Sequence, residues 1–161
     1  MKKIMSGFLT AFLFLMSACG GGGGEAASDD ITVSVKLLQG WQARETGKIV
    51  LMEYYTEQGA LFSVTKEEGA VGKNLDEHLN NKKAFYVEHY KDVDWLGTEK
   101  RRIDGREALE VTFIARGFKQ KDAYVQISKS LVLMFIIVAP VNGFESILED
   151  YEEMLDSVKI K

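Results

Sequence analysis

The feature that most restricts the fold of this chain is a run of eight apolar residues, 131–138. Eight residues are too few to cross the roughly 30 Å hydrocarbon core of a bilayer. The residues that flank the run, Lys129-Ser130 before it and Pro140 after it, are typical of turns and strand ends. A short apolar run without polar alternation is typical of a strand that is buried on both faces. The sequence therefore predicts a sheet whose middle strand is covered by helices or loops on both sides.

Two hairpins are predicted from short turn-forming segments between strand-like runs. One turn is the segment 56–59, Thr-Glu-Gln-Gly, and the other is Asp104-Gly105, a strong signal for a two-residue turn with positive φ. Gly40-Trp41 opens a further short extended piece. The predicted strands alternate in polarity or are rich in β-branched and aromatic residues; they are 31–35, 48–55, 60–66, 93–103, 106–118 and 123–128.

Two helices are predicted from a capping pattern, an N-cap residue followed three positions later by Glu. Asn74 and Glu77 start a helix that runs to about Tyr90, and Asn142 and Glu145 start a closing helix. The closing helix has an apolar stripe at 3.6-residue spacing, made of Phe144, Ile147, Leu148, Tyr151, Leu155 and Val158. These patterns predict an α+β fold in a single domain, residues 31–161.

The N-terminus has the organisation of a secretory signal peptide, residues 1–18. Met1-Lys2-Lys3 supplies positive charge, and residues 4–18 follow without a charged side chain. As a helix this stretch reaches about 22 Å, which is shorter than a bilayer core, so a stable membrane span is the weaker interpretation. Cys19 and five glycines open a segment that ends at Asp30, and residues 19–30 are predicted to be a flexible tether.

The sequence Leu15-Met16-Ser17-Ala18-Cys19 resembles the lipobox of bacterial lipoproteins. The resemblance implies that the thiol of Cys19 is acylated, that Cys19 becomes the new N-terminus and that membrane lipid is a partner. The alternatives are an ordinary signal peptide or an uncleaved anchor. The expected location is the bacterial cell envelope. Gly20, rather than Asp, after the cysteine is similar to the pattern that is sorted to the outer membrane when a cell has two membranes.

The order of strands, hairpins and helices is similar to the PsbP-like fold, which a photosynthetic oxygen-evolution subunit shares with bacterial DcrB-like lipoproteins. The resemblance covers residues 31–161, and the stretches that carry it are Gly40-Trp41, 103–108, 131–138 and 154–158. It implies an antiparallel β-sheet sandwiched by helices, which serves docking or assembly rather than catalysis. Because a fold does not fix a function, the functional part of this expectation is an analogy.

The charge balance argues against a nucleic-acid partner. The net charge is −4, and without the signal peptide 18 basic residues stand against 24 acidic ones. Binding to nucleic acid requires clustered Lys and Arg to neutralise phosphates. Since Cys19 is the only cysteine, no disulfide can form within the chain.

No catalytic, cofactor or metal site is predicted. Residues 69–74 have two residues between their glycines, where a phosphate-binding loop has four, and no Ser or Thr after Lys73. They are interpreted as a turn that leads into a helix cap. His78 and His89 lack the spacing of paired metal ligands and are expected to be solvated or at the edge of the core, and Asp92 and Asp94 are expected to be exposed.

Two groups of side chains are candidates for binding. Cations crowd the Asp104-Gly105 turn and could contact anionic lipid headgroups or an acidic partner, but a solvated tip with Glu99 and Glu107 as counter-charges is the favoured interpretation. These cations are Lys100, Arg101, Arg102 and Arg106. Aromatic side chains that core packing does not require often mark an interface. The aromatic candidates are Tyr54, Tyr55, Phe85, Tyr86, Tyr90 and Trp95.

The leading hypothesis is a lipid-anchored extracytoplasmic module without catalytic activity, which binds a protein partner through an exposed sheet face or an aromatic groove. One alternative is a small envelope hydrolase or metal-dependent enzyme that uses carboxylates as acid and base. That alternative requires a pocket with convergent titratable groups. A second alternative is a carrier of a small apolar ligand, which requires a dry cavity lined by aromatic residues.

Overall fold

The computed structural model describes residues 24–28, 31–47, 49–68, 74–90 and 92–161, with residues 24–28 described by their backbone. The predicted signal peptide, Cys19 and residues 69–73 lie outside the described residues. In chain order the elements are β1 (Gly24–Ser28), β2 (Ile31–Val35), β3 (Gln42–Arg44), β4 (Val50–Tyr55), β5 (Leu61–Glu68), α1 (Leu75–His89), β6 (Val93–Ile103), β7 (Arg106–Ala115), β8 (Phe118–Ser128), β9 (Leu131–Pro140), α2 (Leu148–Ser157) and β10 (Lys159–Ile160).

Seven strands form an antiparallel sheet in the order β3-β4-β5-β9-β8-β7-β6, and β1, β2 and β10 form a second, three-stranded sheet with β2 in the middle. Neighbours in the main sheet are also neighbours along the chain, with the exception of β5 and β9. The helices pack on the two faces of the main sheet, α1 on one face and α2 on the other. The predicted α+β fold, an antiparallel sheet sandwiched by helices, is confirmed.

Strand β9 lies at the centre of the main sheet and is buried on both faces, as its unbroken apolar run predicts. Val132 and Met134 belong to a small apolar cluster under α1. Leu133, Phe135 and Ile137 point the other way and belong to a larger core under α2. Because successive side chains of a strand alternate between faces, one apolar strand supplies both clusters.

The larger core is enclosed by α2 and the three-stranded sheet. Tyr151 and Leu155 are buried side chains of α2. Gly40 has a φ of +89°, a left-handed conformation that favours glycine, and it leads into the buried Trp41. The indole Nε1 of Trp41 donates a 2.7 Å hydrogen bond to Asp150 Oδ2 on α2, so the loop before β3 is joined to this helix.

The predicted cap of the closing helix is wrong. Two 3-10 turns, Val141–Gly143 and Glu145–Ile147, precede α2, which begins only at Leu148. No side-chain hydrogen bond caps the helix at Ile147. Phe144 lies between the two turns and is buried in the larger core. Burial of this ring, rather than a cap by Asn142, therefore decides how the chain enters α2.

Helix α1 begins as predicted, but it is buried less deeply than α2. The side chain of Asn74 accepts a 2.9 Å hydrogen bond from the Glu77 backbone N–H, which confirms the N-cap. His78 and Leu79 are the buried residues of the helix. Most of α1 is consequently solvent-facing, and its contact with the sheet is concentrated on few side chains.

The hairpin turn at Asp104-Gly105 is confirmed, with φ values of +47° and +74°. The single strand predicted for residues 106–118 is wrong, because the chain turns again at Arg116-Gly117, where φ is +54° and +82°. A non-glycine residue with positive φ is uncommon, so Arg-Gly is a weak turn signal. Strand β8 begins directly after this turn and pairs with β7 from Phe118 to Val125.

Part of the predicted tether is a strand. The backbone of residues 24–28 pairs antiparallel with β2, with Gly24 opposite Val35 and Ser28 opposite Ile31. β10 occupies the other edge of β2, so β1 covers the edge that would otherwise leave N–H and C=O groups unpaired. The backbone pairing overrides the flexible composition from which the tether was predicted.

Candidate functional site

The candidate site is an aromatic cluster between the C-terminal half of α1 and the edge of the main sheet. Helix α1 packs on β7 and β8, and most side chains of the edge strand β6 are exposed. The ring of Tyr86 lies at the centre of the cluster, with its centroid 4.9 Å from that of Phe113, 5.8 Å from Tyr90 and 6.1 Å from Trp95. Phe85 packs on the outer side of Tyr86.

A β-bulge brings Trp95 into this cluster. Gly97 lies opposite Thr112, but Trp95 lies opposite Phe113, so Leu96 is an extra residue in β6. An extra residue moves the side chain before it to the other face of the sheet. Trp95 therefore faces α1, and its ring centroid lies 4.9 Å from that of Phe113.

The cluster is partly open to solvent and is rimmed by cations. Phe85 is 48% exposed, as is Leu96 beside Trp95. Lys83 Nζ lies 5.5 Å from the centroid of the Trp95 ring, and the guanidinium of Arg116 lies 4.8 Å from that of Tyr90. Cations at these distances interact favourably with aromatic faces.

Beneath the rings, the hydroxyl of Tyr86 is tied to a buried carboxylate. It donates a 2.9 Å hydrogen bond to Asp122 Oδ2, and the hydroxyl of Tyr124 donates a second bond of 3.1 Å. Gln120 Nε2 donates a 2.7 Å bond to Asp122 Oδ1. Asp122 is 0% exposed, and this burial raises its pKa to about 6, although the three hydrogen bonds act in the opposite direction. Burial and the nearby Asp122 also raise the pKa of Tyr86, which therefore stays protonated.

A second buried polar group lies near the N-terminal half of α1. His78 Nε2 is 3.1 Å from Glu67 Oε2, and Lys82 forms an ion pair with the same carboxylate. Burial alone would raise the pKa of Glu67, but these two neighbours hold it below its usual range. The His78 ring also packs against that of Tyr124. His78 is thus a core histidine, while His89 is exposed and separate from it.

The structure divides the predicted aromatic residues into two groups. Tyr86, Tyr90 and Trp95 meet in the cluster. Tyr54 is 2% exposed and belongs to the larger core, so it is not available as a surface contact. Tyr55 lies on β4, near the opposite edge of the sheet, and its hydroxyl donates to Gln42 Oε1 at 3.0 Å. Phe113 and Asp122 were not among the predicted site residues, although the first completes the cluster and the second anchors it.

On the opposite face of the main sheet, a buried ion-pair network joins the sheet to α2. Glu110 is 3% exposed and pairs with Arg101 at 2.8 Å and with Lys121 at 2.6 Å. Its Oε2 also accepts a 3.1 Å bond from the hydroxyl of Tyr151. Burial alone would raise the pKa of Glu110, but the two cations lower it. Arg101, predicted to lie at a solvated hairpin tip, instead pairs with Glu110 and with Glu152 of α2.

The other candidates are two acidic residues and two surface cavities. Asp92 and Asp94 are exposed. No group of three His, Cys, Asp or Glu side chains there is placed to hold a metal ion. Two surface cavities have volumes of about 400 and 420 Å³. Neither is a dry apolar cavity, because charged side chains line both; Glu57 lies in the first, and Asp76, Lys100, Arg101, Arg102 and Glu107 lie in the second.

Comparison with known proteins shows the fold. No protein-family model matches the sequence, and no curated protein matches it. The structure is similar to the solution structure of cyanobacterial PsbP (CyanoP) from Synechocystis, with a TM-score of 0.59, 13% identity and coverage of 91% of this chain and 99% of that one. It is also similar to LpqN of Mycobacterium tuberculosis, with a TM-score of 0.56, 12% identity and coverage of 88% and 87%.

A third similar structure is the Ran-binding protein Mog1p of Saccharomyces cerevisiae, with a TM-score of 0.53, 11% identity and coverage of 86% of this chain and 96% of that one. The chain therefore has the PsbP-like fold. The predicted resemblance to that fold is confirmed. None of the helices within the described ranges combines the length and the apolar character that crossing a bilayer requires.

Proposed function

We propose that this protein is a lipid-anchored module of the bacterial cell envelope, without catalytic activity, which binds a protein partner through the aromatic cluster. The observation that carries the proposal is the half-open cluster around Tyr86, whose central ring is fixed by a hydrogen bond to the buried Asp122. An aromatic surface held in one conformation loses little side-chain entropy when it binds.

The exposed side chains around the cluster support a protein rather than a small-molecule partner. Phe85 packs against Tyr86, and Leu96 follows Trp95 in β6; each is 48% exposed. Protein interfaces are enriched in aromatic residues and Arg and depleted of charge at their centre. Lys83 and Arg116 beside the rings provide a polar rim of the kind that surrounds an apolar centre.

Anchoring is proposed from the lipobox-like sequence that ends at Cys19. Two of the structural neighbours are consistent with the rest of the proposal. LpqN is described as involved in cell envelope biogenesis, and Mog1p as a Ran-binding protein. The proposed location is the membrane surface outside the cytoplasm, and Gly20 favours the outer membrane where there are two membranes.

The anchor is tested by mass spectrometry of the native protein and of a Cys19→Ala variant. We expect the native chain to begin at Cys19 and to carry acyl chains, and the variant to lack them. A native chain that begins before Cys19, or that carries a free thiol there, contradicts the anchoring part of the proposal.

The binding surface is tested by photo-crosslinking in cells. With a crosslinker at Leu96, beside Trp95, we expect covalent capture of one envelope protein, and a Phe85→Ala substitution lowers its yield about tenfold because an exposed aromatic contact is lost. The matched control is Ile49→Ala, which shortens another exposed apolar side chain away from the cluster. Equal loss in both variants, or equal capture from a crosslinker at Gln58 in the β4–β5 turn, contradicts the proposed surface.

A further inference from the structure

A group of exposed cations, the basic tip, lies at one end of the main sheet. It consists of Arg102 and Arg106 beside the β6–β7 turn, Lys129 in the β8–β9 turn, and Lys159 of β10. The two turns are neighbours because β7 and β8 pair with Ala108 opposite Val125, and both strands continue from there toward this end. β10 joins them, since its Ile160 backbone N–H donates a 2.9 Å bond to Asp104 Oδ2.

The basic tip holds four exposed cations in a protein that is acidic as a whole. The bond from the Ile160 backbone N–H, Lys159 Nζ at 3.3 Å and the charge of Arg106 hold the pKa of Asp104 below its usual range. The other carboxylates at this end are Glu107, Asp76 and Glu68. Glu107 and Asp76 line one cavity with Arg102 and Lys100, and Glu68 is paired with Lys66. Among the described residues, neither Arg106 nor Lys129 lies within ion-pair distance of a carboxylate. Arg101 differs, because it is occupied by Glu110 and Glu152.

The chain enters the domain beside this tip. Gly24 pairs with Val35 on one side of β2, and Lys159 pairs with the adjacent Ser34 on the other side. Two strand spacings separate Gly24 from Lys159, a distance of about 10 Å. Cys19 precedes Gly24 by five positions, so even a fully extended segment between them reaches only about 17 Å.

We propose that the basic tip contacts the anionic lipid headgroups of the bilayer into which Cys19 is anchored. The proposal rests on the proposed acylation of Cys19 for its geometry, since the short segment before Gly24 keeps the tip near the membrane. Near a negatively charged lipid surface, each Lys or Arg raises the binding affinity about fivefold. The attraction decays over a Debye length of about 10 Å. The exposed cations of the tip can reach this layer when the domain rests on that end.

This contact sets the direction in which the candidate site faces. Trp95 lies eight positions before Ile103 on β6, which corresponds to about 26 Å along the strand. A domain that rests on its basic tip therefore holds the aromatic cluster away from the lipid, where a protein partner can approach it. Lipid and partner then bind to different ends of the same sheet.

The first experiment measures binding without an anchor. The chain from position 19 to 161 with Cys19→Ser keeps every described residue, and its flotation is compared between vesicles of phosphatidylcholine alone and vesicles that also contain phosphatidylglycerol. We expect binding only to the anionic vesicles, and loss of that binding as sodium chloride rises to about 1 M, where the Debye length is about 3 Å. The double substitution Arg106→Gln with Lys129→Gln is expected to lower the affinity about 30-fold.

The matched control is Lys119→Glu, which lowers the net charge by the same two units at the other end of the sheet and is expected to leave most of the affinity. Circular dichroism and thermal unfolding of both variants verify that they remain folded. The proposal is overturned by equal binding to neutral vesicles, by no binding to either kind, or by equal loss of affinity in the two variants. Binding of the tip to an acidic envelope protein instead of vesicles also overturns it.

The second experiment uses the acylated full-length protein, and it separates a failure of the tip from a failure of the anchor. Acylation consumes the thiol of Cys19, so a cysteine introduced at Ser130 in the β8–β9 turn is the one reactive thiol, and Gln58→Cys at the other end of the sheet is its control. A spin label at Ser130 is expected to be near the headgroups of anionic vesicles, and a label at Gln58 is not. If the two labels lie at equal depth relative to the headgroups, the proposed tip contact is overturned. A protein that carries no acyl chains contradicts the proposed anchor alone.

Discussion

The buried carboxylate under the aromatic cluster leads to a quantitative prediction for Asp122→Asn. Asp122 is fully buried, and its pKa is raised from 3.8 to about 6 in the folded protein. In the unfolded chain the pKa of this side chain returns to its usual range. The folded state therefore holds the proton more tightly than the unfolded state, and the stabilisation from this group is complete below about pH 4 and is lost as the pH rises through about 6.

The size of this effect follows from the shift. Two pKa units correspond to about 3 kcal/mol, which is the penalty for keeping Asp122 ionised in the folded protein above pH 6. Asparagine has the same shape and no charge. Its oxygen can accept the bonds from Tyr86 and Tyr124, and its amide can donate to Gln120 once that side chain turns its oxygen inward. We therefore expect Asp122→Asn to stabilise the protein by about 1–3 kcal/mol at pH 8 and to change little near pH 4.

The assay is urea unfolding at several pH values between 4 and 8, followed by the fluorescence of Trp41 and Trp95. Comparing the variant with the wild type at each pH cancels the titration of other groups. The control is Asp156→Asn, whose side chain is 81% exposed, and its expected effect is within about 0.5 kcal/mol at every pH. A loss of stability at pH 8, or a gain that does not change with pH, would refute the assignment of a desolvated charge to Asp122.

Two further substitutions test the buried polar groups on the two faces of the sheet. Glu110→Gln removes the buried carboxylate that Arg101 and Lys121 share and leaves them with the more exposed Glu152. We expect a loss of about 3 kcal/mol at pH 7 in urea unfolding. Because the pKa of Glu110 is lowered in the folded state, its contribution is present above about pH 4.5 and declines below that, so the difference from wild type should shrink at pH 3.5; a constant difference would contradict this cause. Tyr86→Phe removes one donor from Asp122, and we expect a loss of about 1–3 kcal/mol at pH 8 that is smaller at pH 4, where the carboxyl is protonated. A loss that is equal at both pH values would show that packing rather than this hydrogen bond is responsible.

The order of elements could be predicted from the sequence because local signals dominate it. The Asp104-Gly105 turn, the cap at Asn74 and the apolar run in β9 each act over a few residues, and each is confirmed. The start of α2 could not be predicted in this way, since it depends on burial of Phe144 against a core assembled from distant strands.

The candidate site was only partly predictable, because a single extra residue decides its composition. Counting pairs back from the Asp104-Gly105 turn places Trp95 opposite Ile114, on the face toward α2. The bulge at Leu96 instead places Trp95 opposite Phe113, on the face toward α1. The only local sign of this bulge in β6 is Gly97, because glycine is common at β-bulges.

The neighbouring residues Tyr54 and Tyr55 show the same limit of prediction from local sequence. Alternation predicts that Tyr54 and Tyr55 face opposite sides of β4, but it does not tell which side is the core. The packing of Tyr54 against Phe62 decides this, and that contact depends on the pairing with β5. Asp122 lies in a polar stretch that gave no strand signal, and its hydroxyl donor on α1 is 36 positions away in the sequence.

The pairing of β5 with β9 has a consequence for how this protein folds. Every other neighbouring pair in the main sheet joins consecutive strands, which can form as hairpins on a timescale of microseconds. The β5–β9 pair joins residues more than sixty positions apart, from Glu68 opposite Leu131 to Leu61 opposite Val138. Closing a loop of that length costs chain entropy before any contact compensates for it. Formation of the β5–β9 pair is therefore expected to be the slow step of folding. Until this pair forms, the apolar edge of β9 is unpaired, and a newly made chain can pair there with the wrong strand.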